Sequence, residues 1–258
     1  MVGKIILSLL TLWQFLNSEA FAKTVIYQSA FNIPEIEQEH GPFYTDSLLG
    51  LVIQGGNTID NTIAFNTINS YVLPSEILVL GGHYNYGWDE SGLSSRNWDA
   101  RFRYERIVRD NFKPFAALVY EGDPFAGFTE RANFDLGVVL LFEGKLFTWD
   151  IEAGYRYTEE KPTYDPERYQ NKLRFHLEGK WKVGKSGEVR AWGRYMPFLS
   201  DTQGDLPNYM FDYGVAINSY FTERFYLNLS YIGNFREVPL ENRKQDDYKL
   251  IGSVGFKI

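Results

Sequence analysis

The sequence predicts an all-β protein, a transmembrane antiparallel up-and-down β-barrel of about 12 strands that follows a cleaved signal peptide. Three observations predict it. An apolar leader opens the chain. No later apolar run approaches the ~18–20 residues that a membrane helix needs. Period-two alternation recurs to the last residue, with aromatics on one parity and charges on the other.

The leader, MVGKIILSLLTLWQFLNSEAFA, has Lys4 as its positive start, an apolar core from Ile5 to Leu16, and Ala20-Phe21-Ala22 as an A-x-A cleavage site. A short anchoring helix is the alternative, but this core is too short to cross a bilayer. The chain has no cysteine, which excludes disulfides, thiol chemistry and lipid attachment through a cysteine. Cleavage would give an exported chain starting near Lys23. Residues 23–44 are then a periplasmic segment or an inward plug, and Pro34 and Pro42 oppose a long regular element there. A net charge of −7 argues against a nucleic-acid partner. An exported chain of mean hydropathy −0.31 that still spans a membrane has to be a barrel, because its lumen face stays polar.

Strands are expected near 46–55, 62–73, 77–88, 97–108, 113–122, 131–143, 146–157, 169–183, 188–198, 209–220, 225–236 and 248–258. Connections after even-numbered strands are tight: PSE, RDNFK, GK, GKSG and TER. Those after odd-numbered strands are mostly long and polar, as in DESGLSSR, DPFAGFTE and TEEKPTYDPERY. Outer-membrane barrels show this asymmetry, with short periplasmic turns and longer outer loops.

Parity assigns the faces. In NWDARFRYERIV, Trp98, Ala100, Phe102 and Tyr104 point to lipid, and Asp99, Arg101, Arg103 and Glu105 to the bore. In 146–157 the outward set runs from Phe147 to Tyr157, opposite Asp150, Glu152 and Arg156. In 169–183 Lys172, Arg174, His176, Glu178 and Lys180 point inward. Strands 1, 2 and 9 are noisier, and Thr67 and Asn69 would face lipid. A soluble sandwich also alternates, but its packed face is richer in aliphatics than in large aromatics. Here the aromatics gather at strand ends in two belts: Trp88, Trp98, Tyr155 and Tyr157 next to the long loops, and Trp149 and Trp181 next to the tight turns. The last strand, YKLIGSVGFKI, resembles the C-terminal signature read by the barrel-assembly machinery, although it ends on Ile258 rather than an aromatic residue.

Three segments carry a family resemblance: GGNTIDNTIAFNT at 55–67, RFRYERIVRDNFKPFAALVYEGDPFAGF at 101–128, and the closing strand. Together they resemble the salt-induced outer-membrane protein family (YdiY-like), a domain of unknown function, from about residue 45 to the end. The D-P-F-A-G loop is the most specific piece. The resemblance implies a Gram-negative outer-membrane barrel and brings no catalytic residues.

The candidates for lumen charge are Asp99, Arg101, Arg103, Glu105, Asp150, Glu152, Arg174, His176, Glu178, Arg190 and Arg194. Two functions stay open for them. They could tune a narrow, porin-like path for small polar solutes or ions, or pair off in a closed structural barrel, within an envelope-stress role. An outer-membrane lipid-modifying enzyme is a third class. It would need a Ser–His pair open to lipid, whereas His83 and His176 point inward, His40 precedes the barrel, and no G-x-S-x-G elbow occurs. No H-x-x-H or H-E-x-x-H spacing suggests a metal, and no cofactor is expected. The expected partners are outer-membrane lipids and the assembly machinery, with the barrel a monomer.

Overall fold

A computed structural model describes residues 42–55, 61–89, 92–184, 186–202, 208–239 and 244–257. The leader, residues 23–41, the N-T-I-D part of the first family segment and Ile258 lie outside the described residues. Twelve strands form: β1 Phe43–Gly55, β2 Asn61–Val72, β3 Glu76–Asp89, β4 Gly92–Arg106, β5 Phe112–Asp123, β6 Phe128–Glu143, β7 Phe147–Pro162, β8 Arg168–Val183, β9 Gly187–Asp201, β10 Tyr209–Tyr220, β11 Phe225–Arg236 and β12 Asp246–Lys257. Each pairs antiparallel with its neighbours in sequence, and β1 pairs with β12 from Asp46↔Lys257 to Gly55↔Tyr248, which closes the barrel. Closure removes every sheet edge, the condition for a sheet to sit in hydrocarbon.

The strands overrun several expected loops. DESGLSSR is mostly strand, because β3 continues to Asp89 and β4 starts at Gly92. TEEKPTYDPERY shrinks to a connection between Pro162 and Arg168. The outward face of β7 gives the reason: Phe147, Trp149, Ile151, Ala153, Tyr155 and Tyr157 are followed by Glu159 and Lys161 on the same parity. The ten-residue rise from Phe147 to Tyr157, tilted at ~40°, spans ~25 Å, the height of a lipid-facing band. Beyond it the hairpin continues as sheet in water, where Lys161 pairs with Glu130 at 2.8 Å. Charge marks the membrane edge, not the strand end. Tyr155, Tyr157 and Trp98 therefore sit inside their strands rather than at the ends.

The wall carries its aromatics outward. Trp88, Tyr155, Tyr157, Phe102 and Leu136 are exposed on the lipid face, Trp98 packs edge-on against Tyr120 at 5.2 Å, and Trp149 against Trp181 at 5.2 Å. Thr67 and Asn69 do face outward, and each is satisfied across the strand pair, Thr67 by Ser47 at 3.0 Å and Asn69 by Thr45 at 2.9 Å. The D-P-F-A-G turn is held by Asp123, whose Oδ1 accepts from the Ala126 amide at 2.8 Å, and by Gly127, whose φ of 100° excludes most side chains.

Candidate functional site: the lumen and its loop-side vestibule

Inward parity places a dense set of polar side chains inside the wall. At the loop end they leave a cavity of about 300 Å³. Asp99, Arg101 and Arg194 line it, as do His83, Lys172 and Arg236. Asp99 accepts bonds from Arg101 and pairs with His83, whose other ring nitrogen meets Asn97 Oδ1 at 2.8 Å. Arg194 grips Asp212 through Nε at 2.9 Å and Nη2 at 2.6 Å. Arg156 holds Asp135 with two bonds of 2.6 Å.

Beneath the cavity the inward side chains are buried. Arg103, Glu105, Glu152, Arg174, His176, Glu178 and Arg190 do not line the cavity, and all are buried. Arg103 donates to Glu105 at 2.7 Å, reaches Glu152 at 3.0 Å and lies 3.8 Å over the Phe115 ring. Arg174 closes on Glu152 from the other side and approaches Asp135 at 3.7 Å. Arg190 meets Glu178 at 2.8 Å, and Lys180 joins Glu178 to Asp150 at the turn end, 3.5 and 3.2 Å away. This charged layer belongs to β4 and β7–β9.

The other half of the wall closes the turn end with apolar groups. Leu48, Ile68, Ile77, Val79, Tyr220 and Tyr226 pack together inside the lumen. Tyr226 is fully buried, donates to Asp46 at 3.0 Å, and lies over Gly255, where a Cβ would come within 1.8 Å of its ring. Charge pairs on one side and an apolar cluster on the other make a floor below the vestibule.

The family model described as "Protein of unknown function, DUF481" matches residues 48–258. The chain is a DUF481 protein. Among solved structures, this DUF481 chain is similar to the NanC porin, with a TM-score of 0.58, 9% identity, and coverage of 82% of this chain and 100% of that one. It is likewise similar to an outer-membrane channel from Pseudomonas putida F1, with a TM-score of 0.56, 12% identity, and coverage of 87% and 100%. No curated protein matches its sequence. At such identities the likeness is one of fold: the DUF481 barrel has the outer-membrane, porin-like β-barrel fold.

The structure of the DUF481 barrel adds residues that the sequence reading missed. Arg131, Glu160 and Arg236 form a cluster at the vestibule, with Arg131 Nε donating to Glu160 at 2.7 Å and Arg236 reaching Glu160 at 3.4 Å. The segment TEEKPTYDPERY reads as a loop, yet its Glu160 continues the inward parity of Glu152, Arg156 and Thr158. Extending that parity through TEE would have found it. Phe115 had no such signal, because both faces of β5 are apolar around it, whereas Tyr226 shares the polar, inward parity of Asn228 and Ser230.

Proposed function

We propose that this DUF481 protein is exported to the outer membrane and works there as a narrow, normally closed pore for ions or small polar solutes. Solutes enter the vestibule from the loop side and pass only when the charge-paired floor parts. One observation carries this: the Arg103–Glu152–Arg174 layer is buried between a solvent-sized cavity and the tight turns. Buried ion pairs offer little net stability over apolar packing, because desolvation offsets their attraction. A closed barrel could be filled with aliphatic side chains at no loss. A floor of paired charges suits a path that hydrates when it opens. On this reading the barrel is a monomer that contacts outer-membrane lipids through its aromatic wall and meets the assembly machinery through its last strand.

Planar-bilayer recording tests the proposal. The wild-type barrel should give rare, small conductance steps, and Arg103→Ala or Arg174→Ala should make them larger and more frequent. Large, lasting wild-type steps would mean an open bore. Silence in all three would leave a structural closed barrel, and either result overturns the proposal. We also read the barrel as non-enzymatic, because His83 and His176 bond inside the lumen, away from lipid. Phospholipid turnover lost in His83→Ala would refute that.

A further inference from the structure

We propose that the vestibule is a binding site for a small organic anion, a carboxylate or phosphate compound, held by Lys172 and Arg236. The proposal rests on the reading that the vestibule is reached from the loop side. Among the described residues, basic side chains outnumber acidic ones on the cavity wall by eight to five, although the chain as a whole carries −7. Most of those charges are spent in pairs: Arg101 on Asp99, Arg194 on Asp212, Arg156 on Asp135.

The cluster on β6, β7, β8 and β11 differs. Glu160 accepts from Arg131 at 2.7 Å and from Arg236 at 3.4 Å, while Arg131 also reaches Glu121 at 3.3 Å. Among the described residues Lys172 forms no ion pair. Its Nζ donates to Thr158 Oγ1 at 3.3 Å and rests 4.5 Å over the Phe198 ring. Arg236 lies over the same ring at 5.9 Å, and its buried Nε has no hydrogen-bond partner among the described residues. Around Glu160, therefore, Arg131 and Arg236 share a carboxylate, while Lys172 and Arg236 lie over the same Phe198 ring and line the cavity.

Burying basic groups with too little counter-charge is costly, and an anion in the cavity would supply that charge and accept the spare N–H donors in charge-assisted bonds. Low-dielectric walls that carry one excess sign also focus their field into the cleft and concentrate the opposite ion there. The cavity, about 300 Å³, is at the small end of the range for ligand sites, which limits the occupant to a compact anion.

Isothermal titration calorimetry on the full barrel in neutral detergent tests this, with citrate and inorganic phosphate as probes and glucose and putrescine as neutral and cationic counterparts. Saturable binding of citrate or phosphate is expected, without comparable binding of glucose or putrescine. Lys172→Gln and Arg236→Gln should each weaken it ten-fold or more, Glu160→Gln should tighten it several-fold, and Lys161→Gln, at an exposed pair, should leave it unchanged. Heat-modifiable migration on gels checks that each variant is folded. No anion binding, equal binding of glucose or putrescine, or indifference of both Lys172→Gln and Arg236→Gln overturns the proposal. The titration is read whether or not the barrel conducts, so its failure is distinct from failure of the pore.

Discussion

Arg103 on β4 reaches Glu152 on β7 at 3.0 Å, although β5 and β6 separate the two strands in the wall. The contact is a chord through the bore, not a neighbour pair. Its guanidinium also holds Glu105 at 2.6 Å and stacks over Phe115, so three strands besides its own converge on one side chain or its partners. Arg236 on β11 makes a second chord to Glu160 on β7, nearer the loops. Between the two chords the cross-section is fixed from inside.

Removing one end of the lower chord leaves a buried charge without its partner. Arg103→Ala should destabilise the barrel by about 3–5 kcal/mol in urea unfolding into vesicles. A cycle of Arg103→Met and Glu152→Gln should show a coupling of about 0.5–3 kcal/mol. Additive effects would mean that the chord is not formed.

At the turn end, Gly255 makes room for the Tyr226 ring. Gly255→Ala would push that ring off Asp46 and should cost about 1–3 kcal/mol, the usual penalty of overpacking. Gly252 has open space where its Cβ would go, so Gly252→Ala should be close to neutral in the same unfolding assay.

The lipid face makes a separate prediction. Leu136 is exposed at the middle of β6. Leu136→Arg should cost about 2–4 kcal/mol in vesicle folding, the value for a basic residue near the bilayer midplane. A neutral result would place that face in water and contradict the assignment of sides.

Parity made the wall legible in sequence. The strict code of NWDARFRYERIV needed only alternation, and the structure places Trp98, Phe102 and Tyr104 outward and Asp99, Arg103 and Glu105 inward as that alternation expects. Strand ends were less legible, because charge on the outward parity, as at Glu159 and Lys161, marks water rather than a turn. Chords were not legible at all. Arg103 and Glu152 are joined by barrel closure and bore width, which no local pattern encodes. The apolar inward patch of β5 was hidden for another reason: in FKPFAALVYEGD both parities are apolar, so Phe115, Ala117 and Val119 look no more inward than Ala116 and Leu118.

The claim that a paired floor closes the bore beneath an accessible vestibule is tested most directly by thiol labelling, since the chain has no cysteine of its own. Asn85 is at the vestibule, and Val79, paired in register with Arg103, is in the floor. With a membrane-impermeant maleimide added to the folded barrel in vesicles, Asn85→Cys should label readily and Val79→Cys should stay protected until Arg103→Ala is added. Equal labelling of the two cysteines, with Arg103 intact, would contradict a closed floor.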